Sequence, residues 1–450
     1  MQSNDASQPV LATISQPQHG MPKWAALWLF SLMALTISVR LASPTGWLGS
    51  DDVSYYCAAE QMLSGETIQR VHHHYARLSV IAPIAVSMTL FGENPAAIAL
   101  PSFVASLLCV FLIAVLGRCV WGWWEGLCAA TIISVLPYYR VLSTTAYPET
   151  QACLWSVSAV LIALWIVRHP TPKRILLLSL TCGLFVGLAA SAKEFSIYTF
   201  VAVTAIIGTH LQASWASRLR TVTLCGIGLV AYFLAECVFY LWMADDFWFR
   251  IHALGNTNAL ERVYPSTGFY EAATLSELVW NRLTVVMLKS STFGWGIISV
   301  AFWPAVLIVC AVNRRGRWIG IWALAAYLLV AFLPVNFRHG LQPYPVFEGR
   351  NDLLACIPFA LCLAWFIHRS VKFFILSPVI IRRSWPLIMA IIVMLAYANP
   401  QELNGFRNRE TQRVALAVKQ VAAFIQSQPD GHDYKIFMPP PLYRRHRIMF

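Results

Sequence analysis

The chain has 450 residues, of which 58% are hydrophobic and 12% charged. A soluble domain carries about 45–50% apolar and about 25% charged residues, so a water-facing globule is excluded and the chain reads as a polytopic membrane protein. The net charge of +12 does not point to nucleic acid, because the basic residues lie at the ends of apolar segments rather than along a stripe.

The first 22 residues are polar and rich in Gln, Ser and Pro. They lack the basic start, short apolar core and small-residue cleavage site of a secretory signal. They are read as a cytoplasmic N-terminus, and the apolar run from Trp24 to Leu41 as a retained signal anchor. Further apolar runs lie near 96–117, 122–137, 150–167, 175–191, 195–211, 221–243, 291–312, 318–335, 351–367 and 385–399. A spanning helix needs roughly 20 apolar residues. The runs predict an all-α polytopic bundle of about eleven transmembrane helices over 23–400.

With the N-terminus inside, the short inner connections hold 14 Lys and Arg residues. The outer loops hold 10 and are longer, which satisfies the positive-inside rule. This topology sends Asp51, Asp52, Glu149, Lys193 and Arg350 to one non-cytoplasmic face. A first outer loop is expected over 43–95, with Ser54–Ser64 and Leu78–Phe91 as interfacial helices, the latter too short to span easily. A second outer loop is expected over 244–290. The mixed segment 368–385 reads as a cytoplasmic interfacial helix, and 401–450 as a small soluble tail on the outer side. The chain has 11 cysteines and no CxxC pair. Nearly all lie in or beside apolar segments, where Cys behaves as a small hydrophobe; Cys57 is placed in the loop after the acidic pair.

The residues that can carry chemistry are few. Gly49-Ser50-Asp51-Asp52-Val53-Ser54-Tyr55-Tyr56 holds two adjacent carboxylates where the chain leaves the membrane. A carboxylate there needs a reason, and Asp51 can act as general base or metal ligand; the pair reads equally as a solvated loop start. Lys193 follows a small-residue run, Cys182 to Ala192, that permits close helix packing. It can hold a phosphate as a point charge, or snorkel, or pair with Glu194. Arg350 opens an apolar helix, which makes an anion site; Glu348 and Asp352 are alternative partners. Glu149 fits a helix N-terminus as well as it fits catalysis. His72-His73-His74 reads as a polar contact to substrate rather than a metal site, so no residue is assigned as a metal ligand. Asp245-Asp246 reads as a helix end at the interface.

Four stretches together resemble a known family. They are Ser50 to Gly65, with its acidic pair and later Leu-x-Gly; Leu90-Phe91-Gly92-Glu93-Asn94 leading to Leu116-Gly117-Arg118; the Gly-rich run ending at Lys193; and Arg350 before an apolar helix with Pro358. The set covers roughly 24–370 and is similar to membrane glycosyltransferases of the GT-C fold, in the branch of protein O-mannosyltransferases and lipid A aminoarabinose transferases. The chain departs from the pattern in its Asp-Asp pair, in Asn351-Asp352 after Arg350, and in His74-Tyr75-Ala76-Arg77 where relatives carry a Pro-rich stretch.

The resemblance implies an inverting transfer of a hexose or pentose from a polyprenyl-phosphate sugar to a protein, lipid or glycan of the cell envelope. It implies Asp51 as base, with Asp52 orienting it or binding sugar hydroxyls, and Lys193 and Arg350 on the leaving phosphate. Glu149, Arg77, His74 and Tyr55 are the remaining candidates for substrate binding. No cofactor is required; a divalent cation is permitted but not demanded. A bacterial inner membrane with an outward-facing site is the implied setting. The competing reading is a transporter or flippase of a lipid-linked sugar, which would carry charges within its spans and paired half-repeats.

Overall fold

The computed structural model describes residues 20–42, 44–45, 51–68, 72–255, 298–332, 335–336, 342–343 and 353–374. Arg350, the apolar run 385–399, most of the second outer loop and the tail 401–450 lie outside these residues. The described chain is helical, apart from two short antiparallel strands, β1 (Val335–Asn336) and β2 (Gln342–Pro343).

The helices follow the apolar runs. They are α1 (Lys23–Ala42), α2 (Asp51–Ser64), α3 (Leu78–Phe91), α4 (Pro95–Val120), α5 (Trp123–Val135), α6 (Pro137–Leu142), α7 (Glu149–Arg168), α8 (Pro172–Ala192), α9 (Thr199–His210), α10 (Trp215–Ala244), α11 (Ile298–Val312), α12 (Arg317–Phe332) and α13 (Leu353–Phe374). Residues 249–255 are also helical. Six of the described helices, including α1, α4, α7, α8 and α10, are long and apolar enough to cross a membrane. The sixth is most of α13, Ala355–Lys372. The expected run at 195–211 divides into a 3₁₀ turn, Glu194–Tyr198, and the 12-residue α9. The chain is therefore an integral multi-pass membrane protein whose helix lengths vary more than hydropathy implied.

Local chemistry explains the boundaries. α4 starts at Asn94, whose side chain accepts from the Ala97 N–H at 2.9 Å, with Pro95 at the first helical position. α10 starts at Ser214, whose hydroxyl accepts from the Ser217 N–H. It stops at Asp245, which adopts a left-handed φ of 51°, so Asp245 terminates a helix as expected. α3 has the bounds read from the sequence. Two local expectations are corrected. The acidic pair forms the first turn of α2 rather than a loop, because a helix N-terminus favours carboxylates, and Cys57 is buried within that helix. The last described helix, α13, also runs on to Phe374, into the segment expected to lie along the interface.

Glycines set the tightest packing. A Cβ on Gly183 of α8 would stand 1.9 Å from the Cys225 carbonyl oxygen of α10, and one on Gly228 would stand 2.2 Å from that of Leu180. Backbones at such range leave no room for a side chain, so α8 and α10 mesh through glycine. Gly187 against Tyr232 and Ser191 against Glu236 continue the seam. The register advances in the same direction on both helices, so α8 and α10 run parallel and end side by side. Gly183→Leu is expected to destabilise the fold by at least about 1–3 kcal/mol, read as a lower thermal midpoint in detergent. Leu184→Ala, on the exposed side of the same helix, should leave that midpoint within the change of an ordinary surface substitution.

The bundle has two distinct ends. At one, Trp24 stacks on Trp124 at 4.7 Å, Arg168 of α7 donates to the Cys119 carbonyl of α4, and His368 lies 2.6 Å from Glu125. At the other end meet α2, α3, the starts of α4 and α7, and the ends of α8 and α10. There Ser87 donates to the Ala97 carbonyl, Ser102 to that of Tyr147, and the Ile68 N–H to that of Met243. Exposed Val230, Leu234, Val238 and Trp242 give α10 an apolar outer face suited to lipid.

Candidate active site

At this second end the chain gathers most of the polar residues singled out above. α2 places Asp51 and Asp52 in its first turn, where unbonded backbone N–H groups favour anions. Asp52 is fully buried, whereas the Asp51 side chain is 18% exposed, so Asp51 is the more open of the two. Its carboxylate lies 3.5 Å from His74 Nε2. One turn along α2, Tyr55 is buried, its ring 5.1 Å from that of His74.

The Tyr55 hydroxyl accepts a hydrogen bond from Arg77. Burial pushes that hydroxyl above the ordinary tyrosine range; Arg77 opposes this, and Asp51 and Glu149 add to it. Arg77 follows a 3₁₀ turn, His73–Ala76, which His72 caps by accepting from the His74 N–H. The Arg77 guanidinium also donates to both oxygens of Glu194, at 3.3 and 2.9 Å. This paired geometry is the strong form of a charge-assisted contact. Burial works against ionisation of Glu194, yet Arg77 and Arg250 prevail and hold its carboxyl at about 2.

Lys193 ends α8 and Glu149 begins α7. Their side chains meet at 2.7 Å, with exposures of 6% and 1%. The ammonium thus faces Glu149, 44 positions away in the chain. The two ions are well desolvated, and each depends on the other. A phosphate at this lysine would share it with Glu149.

Two further residues were not legible as members of the site. Arg250 lies just beyond α10 and Glu236 within it. Arg250 donates to the Ala76 carbonyl at 2.7 Å and to that of Ala190 at 2.8 Å, and it reaches both Glu236 oxygens at 3.3 Å. Glu236 accepts from the Ser191 hydroxyl at 2.5 Å. Tyr240 of α10 donates to the Tyr75 carbonyl at 2.9 Å. One guanidinium therefore braces the turn that carries His74 and Arg77 against the helix end that carries Lys193. A carboxylate deep in an apolar helix is the signal that marks Glu236 in the sequence; its partner could not be read there.

Arg250→Ala is expected to lower stability by about 2–3 kcal/mol, since several charge-assisted bonds are lost. Arg250→Lys should recover only part of it, because an ammonium lacks the planar fork. Thermal midpoints of the purified variants check this, and equal midpoints for alanine and wild type would contradict the brace.

Arg350 lies outside the described residues. Among the others, Asp51, His74, Tyr55 and Arg77 are linked in contact order, and Lys193 and Glu149 stand beside them. Such a set offers a half-open carboxylate, buried cations and a neutral phenol at one mouth of an apolar bundle. It is suited to proton removal next to an anion.

The family model for dolichyl-phosphate-mannose-protein mannosyltransferases matches residues 80–242. No curated protein sequence matches the chain. Among solved structures, ArnT from Cupriavidus metallidurans bound to undecaprenyl phosphate is similar over 82% of this chain and 63% of its own length, at 16% identity and a TM-score of 0.55. The oligosaccharyltransferase of Archaeoglobus fulgidus, in complex with Zn and sulfate, is similar over 90% of this chain and 56% of its own, at 13% identity and a TM-score of 0.52. The chain thus spans less than two thirds of these relatives. It has the GT-C fold and a mannosyltransferase-like segment.

Proposed function

We propose that this GT-C membrane protein is an inverting glycosyltransferase that moves a sugar from a polyprenyl-phosphate donor to a protein, lipid or glycan acceptor. The observation that carries the reading is Asp51, half-open at the head of α2, at the same bundle end as the Lys193–Glu149 and Arg77–Glu194 pairs. The matched family model and the GT-C fold support a lipid-phosphate donor.

In this reading the acceptor hydroxyl or amine attacks the anomeric carbon while its proton passes to Asp51. The bond from that carbon to the phosphate oxygen breaks with its electron pair, and the polyprenyl phosphate leaves as an anion. A leaving phosphate needs cationic contacts more than a proton. Lys193 and Arg350 supply them, with Arg77 beside the sugar. Glu149 aims the lysine and shares its charge. His74 and Tyr55 line the sugar or acceptor side, and Asp52 backs Asp51 from within the helix. The exposed apolar helix faces take up the lipid tail. Apart from Glu236, which lies within α10, the charged groups described here gather at the ends of the bundle, which favours transfer chemistry over a transport path through the midplane.

The site faces the non-cytoplasmic side in this proposal, in a bacterial inner membrane. Single cysteines placed near Asp51 and at Arg315, in a background cleared of native cysteines, should label from opposite sides of the membrane. Labelling from one side would overturn the orientation. The function itself is tested with purified protein and a radiolabelled polyprenyl-phosphate sugar. Label should move to acceptors with release of polyprenyl phosphate. Failure across mannosyl, glucosyl, N-acetylhexosaminyl and aminoarabinosyl donors, each with membrane acceptors, would sink it.

A further inference from the structure

We propose that His72, His73 and His74 form a binding site for a divalent transition cation of the zinc class, with Asp51 orienting His74 from outside the ligand set. This goes beyond the transferase reading and does not depend on it.

Three consecutive side chains seldom converge, since each residue turns the chain. Here they do. His72 stands in extended backbone before the 3₁₀ turn, so its ring folds back over those of the two residues that follow. Ring centroids are 4.4 Å apart for His72–His73, 4.6 Å for His72–His74 and 3.9 Å for His73–His74. One nitrogen from each ring lies within 4.8 Å of the other two. Nitrogens bound about 2.0–2.1 Å from a tetrahedral zinc lie about 3.4 Å from one another, so side-chain shifts of about an ångström complete the set.

A second observation points the same way. The carboxylate of Asp51 sits 3.5 Å from His74 Nε2. A carboxylate on one imidazole nitrogen fixes the tautomer and strengthens the other nitrogen as a donor, the usual outer support of a metal-bound histidine. His72 Nδ1 already accepts from the His74 backbone N–H, which assigns ligation at His72 to Nε2. The nearby Arg77 charge is met by Glu194. Three imidazoles select zinc, copper or nickel over magnesium and calcium, which prefer oxygen.

The consequence is mechanical as well as electrostatic. A bound cation would tie the turn before Arg77 to the head of α2 through His74 and Asp51, and it would stand beside the proposed base without bonding to it.

The test uses the full chain purified in detergent without a histidine tag and stripped with a chelator. Zinc added alone should bind at about one equivalent with a Kd at or below about 1 μM, read by competition with a fluorescent zinc indicator. It should also raise the thermal midpoint, and a thousandfold excess of magnesium should not displace it. The triple variant His72→Ala, His73→Ala, His74→Ala should bind at least about 100-fold more weakly. Wild-type protein that takes no zinc at 10-fold above that Kd overturns the proposal without any variant. So does undiminished binding in a folded triple variant, or magnesium binding of equal strength. Sugar transfer is not read, so failure of the donor assignment leaves the result intact.

Discussion

Asp51→Asn is expected to lower sugar transfer by about 10²–10⁴-fold, the usual contribution of a positioned base, while the protein accumulates in the membrane at its normal level. The substitution keeps size and shape and removes the negative charge and the ability to accept a proton. The fold should tolerate it. Asp51 is partly exposed in the first turn of α2, where a charge contributes only about 0.3–1 kcal/mol through the helix dipole. Asp52→Asn provides the contrast. Asp52 is fully buried, so its change should show mainly in stability. Full transfer by the Asp51→Asn protein, assayed in membranes with labelled donor, would remove Asp51 from the role of base.

The second large effect concerns Lys193 and Glu149. Lys193→Met should cost about 3–5 kcal/mol, because it strands a carboxylate that is 1% exposed. Glu149→Gln alone should also be costly, because it removes a carboxylate 2.7 Å from a buried ammonium. The double variant Lys193→Met, Glu149→Gln should recover most of the stability lost by Lys193→Met, since no stranded carboxylate then remains. Transfer should not recover with it if Lys193 stabilises the leaving phosphate. Thermal midpoints and transfer rates on the same four proteins separate the two roles. A double variant that regains both would make the pair purely structural, and one that regains neither would deny that the two charges depend on each other.

Much of the architecture could be read along the chain. α3 occupies Leu78–Phe91, the stretch set apart as too short to span, because apolar length and the Arg77 and Gly92 flanks are local properties. The small-residue run before Lys193 predicted a close helix contact, and α8 meets α10 through Gly183 and Gly228. The grouping of Asp51, Glu149 and Lys193 at one end followed from counting spans and basic loops. The start of α2 was harder. Asp51 and Asp52 suit a solvated loop and a helix N-terminus equally, and the choice depends on whether Val53, Tyr55 and Tyr56 find a core to enter, which they do.

The partnerships were not legible at all. Lys193 has Glu194 beside it in the sequence and takes Glu149, 44 positions away. Glu194 instead closes on Arg77 and Arg250, and Arg250 reaches back to the carbonyl of Ala76. By itself the sequence determined that this is a membrane bundle of the GT-C kind, with Asp51, Glu149 and Lys193 at one end, because hydropathy, loop charge and short motifs act within single segments. Which acid neutralises which base, and that Arg250 and Glu236 hold the site together, only the tertiary structure decided. Those choices depend on the register and approach of helices such as α8 and α10, set by glycine contacts between segments far apart in the chain.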